Sequence, residues 1–488
     1  MQAICIIAGY GSEKCLRTVN KFDNSGYVER WIIKISERDS RRISKFEKVH
    51  YVGKVWCPTV HNGFVVFREK NGVPYISGNS VFWNVGLFDQ HYFDSMFGNF
   101  YFPNGDRPTW KSVDSLQRWF MSWLNAERTR SLLTFPVVTL ALLSNGEKPM
   151  DIDWAENAAK EWSEGNQFFV YMSESVDSLS SCCRLRNGIE TNEFSYTLGA
   201  GGVATGSINV ITINMNRVYQ SAPKDEFIGG RINAMKNVLS RVHKYQIAYR
   251  KLMEDYQTGG LLDVYTSGYI QLEKQFLTIG INGLVEAAEF CGIEASNNDA
   301  YKNFINSNLE MIYNANRAIS KETGYKFNTE FIPGENLGVK NAKWDKADGL
   351  KVNRDCYNSY FFPVESEDIN TLDKFILHGK DTTKWLDGGS ALHLNLEEYP
   401  TKDGYIKLLT VMAKTGCPYM TTNIKVTICR KCGHIDKRTL TTCARCGSDE
   451  VDWATRIIGY LKKIKSFSSD RQIEAAKRYY HSGEKNEG

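Results

Sequence analysis

Four cysteines stand as two pairs, Cys429-x2-Cys432 and Cys443-x2-Cys446, with ten residues between them. Each short turn brings two sulfurs within reach of one ion, and two such turns complete the closed tetrahedral set that zinc takes at structural sites. Iron also accepts four thiolates. Gly433 and Gly447 follow the second cysteine of each turn, where a positive φ is useful. Lys431, Lys437, Arg438 and Arg445 would suit a ribbon that grips nucleic acid, but no aromatic ladder accompanies them. The knuckle alone therefore specifies a metal-stabilised element and no reaction. Cys182 and Cys183 are adjacent in a polar, turn-like stretch. One reading makes them a buried small residue and a spectator; the other gives them redox chemistry. Gly459 lies 13 residues past Cys446 between apolar flanks, where a glycine ordinarily marks a bulge or close packing. The glycine-rich run 199–206 suits tight turns or a phosphate contact, and it is out of register with G-x-G-x-x-G.

These groups must be held by a chain of 488 residues, enough for about three domains. With 42% apolar and 24% charged residues it reads as globular with a large core. A net charge of +4 is too mild to argue for nucleic acid. Apolar runs such as 137–143 are far below the roughly 20 residues of a membrane span. The start, MQAICIIAGYGSEK, has no basic segment or cleavage site for secretion. The uneven cysteines point to metal and redox chemistry in a reducing, cytoplasmic setting. Residues 1–79 carry alternating runs at 27–35 and 65–76 and read as a small β-rich unit. From 80 to about 425, helical patterns at 152–163, 231–256, 284–290, 300–320 and 405–414 alternate with strand-like runs at 167–172, 207–215 and 422–429. Gly416 stands where a helix C-cap belongs. Alternation of this kind predicts an α/β architecture with parallel strands. Residues 426–488 hold the knuckle, Gly459 and a helix expected over 470–481.

The segment CRKCGHIDKRTLTTCARCGSDEVDWATRIIGYLKKIKSFSSDRQIEAAKRYY resembles the C-terminal end of anaerobic, class III ribonucleotide reductases. In that family a four-cysteine zinc site precedes an R-[VI]-x-G-Y loop whose glycine carries a stable radical. The resemblance continues through SLSSCCRLRN (178–187), LGAGGVATGSINVITINMNR (198–217), FLTIGINGLVEAAEFCG (276–292), ENLGVKNAKWDKADG (335–349), NSYFFPV (358–364), LDGGSALHLNL (386–396) and GCPYMTTN (416–423). It covers about residues 80–482. It implies a ten-stranded α/β barrel of the glycyl radical enzyme type, with a finger loop near 178–187. It further implies zinc on the four cysteines and a radical on Gly459, installed by a separate S-adenosylmethionine-dependent iron–sulfur activase. Cys183, followed by Arg184, matches the family's thiyl residue, which takes the 3′-hydrogen of a ribonucleoside triphosphate; Cys182 is the runner-up. The implied reductant is formate or a thiol redoxin, and the implied assembly is a homodimer. Pyruvate formate-lyase-type enzymes also pair adjacent cysteines with an R-V-x-G-Y loop, but lack the knuckle before the glycine.

The first 79 residues depart from that family, which would carry early barrel strands and an ATP-binding domain there. VWCPTVHNGF (55–64) and NGVPYISGNS (71–80) look like the C-terminal splicing blocks of an intein, spanning 53–79. An intein ends in an asparagine whose amide cyclises onto its own carbonyl, and a hydroxyl or thiol must follow as nucleophile. Asn79 and Ser80 match, and Cys57 falls where an assisting Asp or Cys belongs. Gly78 replaces the usual penultimate histidine. No N-terminal splicing block is visible in 1–50, so the resemblance implies a split intein, with an N-terminal intein and reductase fragment as partner, or a remnant of a broken gene. An ordinary β-rich appendage is the alternative. Residues 1–45 faintly resemble the end of an intein-embedded homing endonuclease. From 80 onward the chain lacks the early strands, so a closed barrel is not expected from it alone.

Overall fold

The computed structural model describes residues 11–20, 27–36, 64–67, 75–78, 84–176, 178–180, 186–188, 206–222, 229–266, 268, 270–331, 334, 336–456 and 459–482. Two compact units divide the chain, Met1–Phe82 and Trp83–Gly488. In the first, β1 (Gly11–Asn20) pairs antiparallel with β2 (Tyr27–Ser36), and β3 (Phe64–Phe67) with β4 (Tyr75–Gly78). β2 falls on the alternating run at 27–35, β3 and β4 lie at the two ends of the run at 65–76, and β1 lies outside both runs.

The second unit is α/β. Its wall begins with β5 (Asn84–Phe88), β6 (Val137–Leu143) and β7 (Phe168–Ser173), all parallel. The short strands β8 (Ser178–Ser180) and β9 (Arg186–Gly188) form an antiparallel pair. Then come β10 (Gly206–Asn214), β11 (Gln275–Asn282), β12 (Lys326–Phe331), β13 (Gly389–Ser390), β14 (Leu392–Asn395) and β15 (Tyr419–Asn423). β10 to β13 pair in parallel order, and β14 pairs in parallel with β15. Only Ala391 separates β13 from β14, so both sheets share one extended stretch. β15 meets β7 antiparallel. The wall is thus two parallel arrays, β10 to β15 and β5 to β7, joined head to tail. Among the described residues β10 and β5 each have one strand neighbour.

Helices pack on the outer face because strand residues alternate. Val138, Leu140 and Leu142 of β6, Phe168, Val170 and Met172 of β7, and Leu392 and Leu394 of β14 enter one large apolar core. That core also takes Trp154 and Trp162 of the helix Ile152–Ser163, and Tyr405 and Leu409 of Lys402–Thr415. Trp162 and Tyr405 stack with centroids 4.3 Å apart. The intervening strand residues face inward. Helices 152–163 and 284–290 have their expected bounds, and 402–415 ends at Gly416 with φ 65°.

The expected strand over 422–429 is two strands, β15 and then β16 (Val426–Cys429). β16 leaves the wall and starts a second sheet with β17 (Ile435–Asp436), β18 (Val451–Arg456) and β19 (Leu461–Lys463), ordered β17-β16-β18-β19. The last helix is Ser469–Lys477 and stops short of the expected 481. Tertiary bonds outcompete it: Tyr479 N–H donates to the Val364 carbonyl at 2.9 Å and His481 N–H to the Asn395 carbonyl at 3.0 Å. Among the described residues no helix is long and apolar enough to cross a membrane.

Candidate active site

The four knuckle sulfurs all lie within 4.8 Å of one another. Cys429 and Cys446 sulfurs are 3.6 Å apart, as are those of Cys432 and Cys443. The Cys432 amide donates to Cys429 Sγ and the Arg445 amide to Cys443 Sγ, each at 3.4 Å, the usual way a turn steadies a thiolate. Gly433 and Gly447 take φ 73° and 70°, as the turns require. Four converging sulfurs with satisfied turn geometry fit a structural zinc.

The knuckle is placed by backbone pairing. Cys429 ends β16 and pairs with Val451, which starts β18. β18 runs from the metal site to Arg456, and β19 returns antiparallel with Arg456 opposite Leu461. Gly459 therefore sits at the tip of a tight hairpin whose base is welded to the knuckle. Arg456 anchors that base from inside. One Nη donates to Thr421 Oγ1 of β15 at 2.8 Å and the other to the Gln167 carbonyl before β7. Its guanidinium lies 4.6 Å from the Phe169 ring centroid. Burial, and then the neighbouring Arg128, pull its pKa down to about 9. From the far side Arg478 Nη1 donates to the Arg456 carbonyl at 2.8 Å, and its other arm holds Glu474.

Tyr460, next to Gly459, packs against the cluster that fills the inside of the wall: Phe88, Val137, Phe169, Tyr171, Ala391 and Tyr419. Its ring lies 5.8 Å from Phe135 and 6.2 Å from Phe467. The hairpin tip thus reaches the inner face between β7 and β15. Polar side chains continue that face. Asn423 Nδ2 donates to Asn395 Oδ1 at 3.0 Å and approaches His393 Nδ1 at 3.2 Å. Thr278 Oγ1 donates to Asn328 Oδ1 at 2.6 Å and meets Ser207 Oγ at 2.7 Å. Polar groups on the inner face of the wall beside an apolar aromatic cluster suit a bound polar ligand.

The sequence profile described as "Anaerobic ribonucleoside-triphosphate reductase" matches residues 70–481. The chain belongs to that family. The match starts ten residues before Ser80, inside the segment read as intein-like. No curated protein sequence matches the chain. Among solved structures, one titled "Anaerobic ribonucleotide reductase" is 26% identical with a TM-score of 0.72, over 82% of this chain and 64% of that one. The Thermotoga maritima enzyme with glycerol in its active site is 27% identical, TM-score 0.69, over 80% of this chain and 63% of that one. The same enzyme in complex with dATP and CTP is 27% identical, TM-score 0.69, over 80% and 64%. The chain thus spans less than two thirds of these relatives. A glycyl radical enzyme from Archaeoglobus fulgidus, 12% identical with a TM-score of 0.50 over 77% of this chain and 56% of that one, shares the fold alone.

Within this reductase-family chain, the structure brings the four cysteines together and ties them to Gly459. Cys182 and Cys183 lie outside the described residues, in the stretch between β8 and β9; β8 itself rests against β6 and β7. Cys57, Asn79 and Ser80 also lie outside the described residues, as does the glycine run up to Gly206, which starts β10. Sequence reasoning missed the anchoring by Arg456 and Arg478 and the inward polar row. The alternation in Leu392-His393-Leu394-Asn395 carried the signal for the row. The buried Glu286, which accepts from Arg354, Asn358 N–H and Asn358 Nδ2 at 2.9–3.0 Å, fixes the NSYFFPV block. Burial pushes its carboxyl up to about 7 against the opposing pull of Arg354.

Proposed function

We propose that this chain is the catalytic C-terminal part of an anaerobic ribonucleoside-triphosphate reductase working by glycyl and thiyl radicals. The observation that carries the reading is the Gly459 hairpin, rooted in β7 and β15 by Arg456 and packed through Tyr460 on the interior cluster. A glycine α-carbon radical is delocalised onto its flanking amide groups, and without Cβ it flattens at no steric cost. The activase removes one α-hydrogen of Gly459. Hydrogen transfer from the Cys183 thiol to that carbon leaves a sulfur radical, which takes the ribose 3′-hydrogen. The 2′-hydroxyl then departs as water, and formate or a thiol redoxin supplies the reducing electrons. Zinc on the four cysteines is structural, fixing the base of the hairpin. CTP in the Thermotoga maritima relative supports a nucleoside triphosphate as substrate. A second copy of the chain and a fragment carrying the early barrel strands complete the assembly, and Asn79–Ser80 is the splice junction that joins such a fragment. The separate compact unit up to Phe82 supports an independent N-terminal module.

The test is anaerobic activation of the assembled enzyme followed by electron paramagnetic resonance. A doublet split by the remaining Gly459 α-hydrogen is expected. Gly459→Ala should lose both signal and turnover, whereas Cys183→Ser should keep the signal and lose nucleotide reduction. Reduction that survives in both Cys183→Ser and Cys182→Ser defeats the thiyl assignment.

A further inference from the structure

Behind the Gly459 hairpin lies a small cavity of about 40 Å³, walled by Asn125, Arg128, Leu132, Gln167, Val426 and Leu461. It separates the end of the helix Trp110–Arg128 from the β17-β16-β18-β19 sheet. Arg128 Nε and Nη1 are buried there with no hydrogen-bond partner. Burial also pulls the Arg128 pKa down. A second guanidinium, that of Arg456, stands close enough to repel it, and its own bonds go only to neutral oxygens. Lys437 adds a third cation at the rim, its Nζ held by the Ser163 carbonyl at 2.8 Å. Two acids are near. Glu161 Oε2 accepts from Asn125 Nδ2 at 2.7 Å, and Glu164, which is itself part of the cavity wall, lies 4.0 Å from Lys160 Nζ. Arg128 as a whole is half-buried, but two buried donors without a partner beside a like charge are unfavourable, and a counter-charge or a water at the cavity would satisfy them.

We propose that this cavity binds a small monovalent anion of halide size, held by Arg128, and that its occupancy steadies the base of the Gly459 hairpin. The space admits one or two water-sized species, which suits chloride and leaves no room for a nucleotide phosphate. The cavity wall includes Leu461, the residue paired with Arg456 at the hairpin base, so an ion there acts on the strands that carry Gly459. The proposal does not depend on the radical reading, since it concerns local stability alone.

Bromide diffraction on zinc-loaded crystals of the full chain tests it, together with hydrogen exchange across 451–463 in chloride, bromide or gluconate at matched ionic strength. An anomalous bromide peak within hydrogen-bond distance of Arg128 Nε or Nη1 is expected. Halide at ten times its Kd should slow exchange in that hairpin about tenfold. Arg128→Gln should abolish the halide-specific part and keep the general salt response. A water without anomalous signal, seated between Arg128 and the unpartnered Asn125 Oδ1, overturns the proposal, as does an undiminished halide effect in Arg128→Gln. If that variant does not fold, the bromide map of the unmodified chain decides.

Discussion

Arg456→Lys isolates the contribution of the guanidinium fork while keeping the charge. The native side chain spends one Nη on Thr421 Oγ1 at 2.8 Å and the other on the Gln167 carbonyl, two acceptors on different strands. A single ammonium satisfies at most one of them. The lost bond comes from a charged donor and is worth about 1.5–3 kcal/mol, with the abandoned acceptor left buried. Weaker stacking on Phe169, now at 4.6 Å from the guanidinium, removes roughly another 0.5 kcal/mol. The hairpin base should therefore open more easily by about 2–3 kcal/mol, and its amides should exchange roughly 30- to 150-fold faster. Hydrogen exchange read by mass spectrometry on peptides covering 451–463, with β6 as internal control, checks this. The effect should stay local, because β6 is buried on both faces by the helix-facing core and the interior cluster. Exchange across 451–463 within threefold of the native rate, in a variant that folds and binds metal, would refute the claim that Arg456 ties the hairpin to the wall.

Two further outcomes follow from the same construction. Reduced protein should hold about one zinc per chain, and Cys443→Ser should lose it and loosen residues 425–465, because metal binding and local folding are one equilibrium; full metal retention by atomic absorption speaks against the four-thiolate site. Mixed with a cognate N-terminal partner, the chain should be cut after Asn79, and Asn79→Ala should block that cut for want of a side-chain amide; mass spectrometry showing cleavage elsewhere, or unaltered cleavage in the variant, excludes the splice junction.

The knuckle's sheet is tied closely to the wall of the second unit. β15 ends at Asn423, β16 resumes at Val426, and only two residues bridge them. The four-cysteine cluster at the far end of β16 is thereby linked along β18 to Arg456, which returns to β15 through Thr421. The circuit β15–β16–β18–Arg456–β15 is closed, which restricts how the hairpin tip can move relative to the interior cluster. Arg478 seals it from outside, and the strand-like run to His481 keeps Arg478 in place.

Cysteine spacing alone was sufficient to locate the four-sulfur cluster, because a C-x2-C turn is a local structure whose geometry needs only its own backbone and a glycine after it. Short amphipathic helices were legible for the same reason: Ile152–Ser163 has its cap, its apolar stripe and its end within one window. The motif around Gly459 was visible as a string, but its position was not, since β18 and β19 acquire their place from pairing with β16 and from Arg456 reaching residues 35 and 289 positions away. The strand Gln275–Asn282 is not among the strand-like runs named from the sequence, because both its sides are covered and only the wall decides which side is inner. The final helix looked continuous to 481, and long-range bonds from Tyr479 and His481 ended it at Lys477. The unpartnered Arg128 has no sequence signature at all. A basic residue in the last turn of a helix is ordinary there, and only the tertiary fold leaves two of its nitrogens buried without a partner beside the sheet that carries the four cysteines.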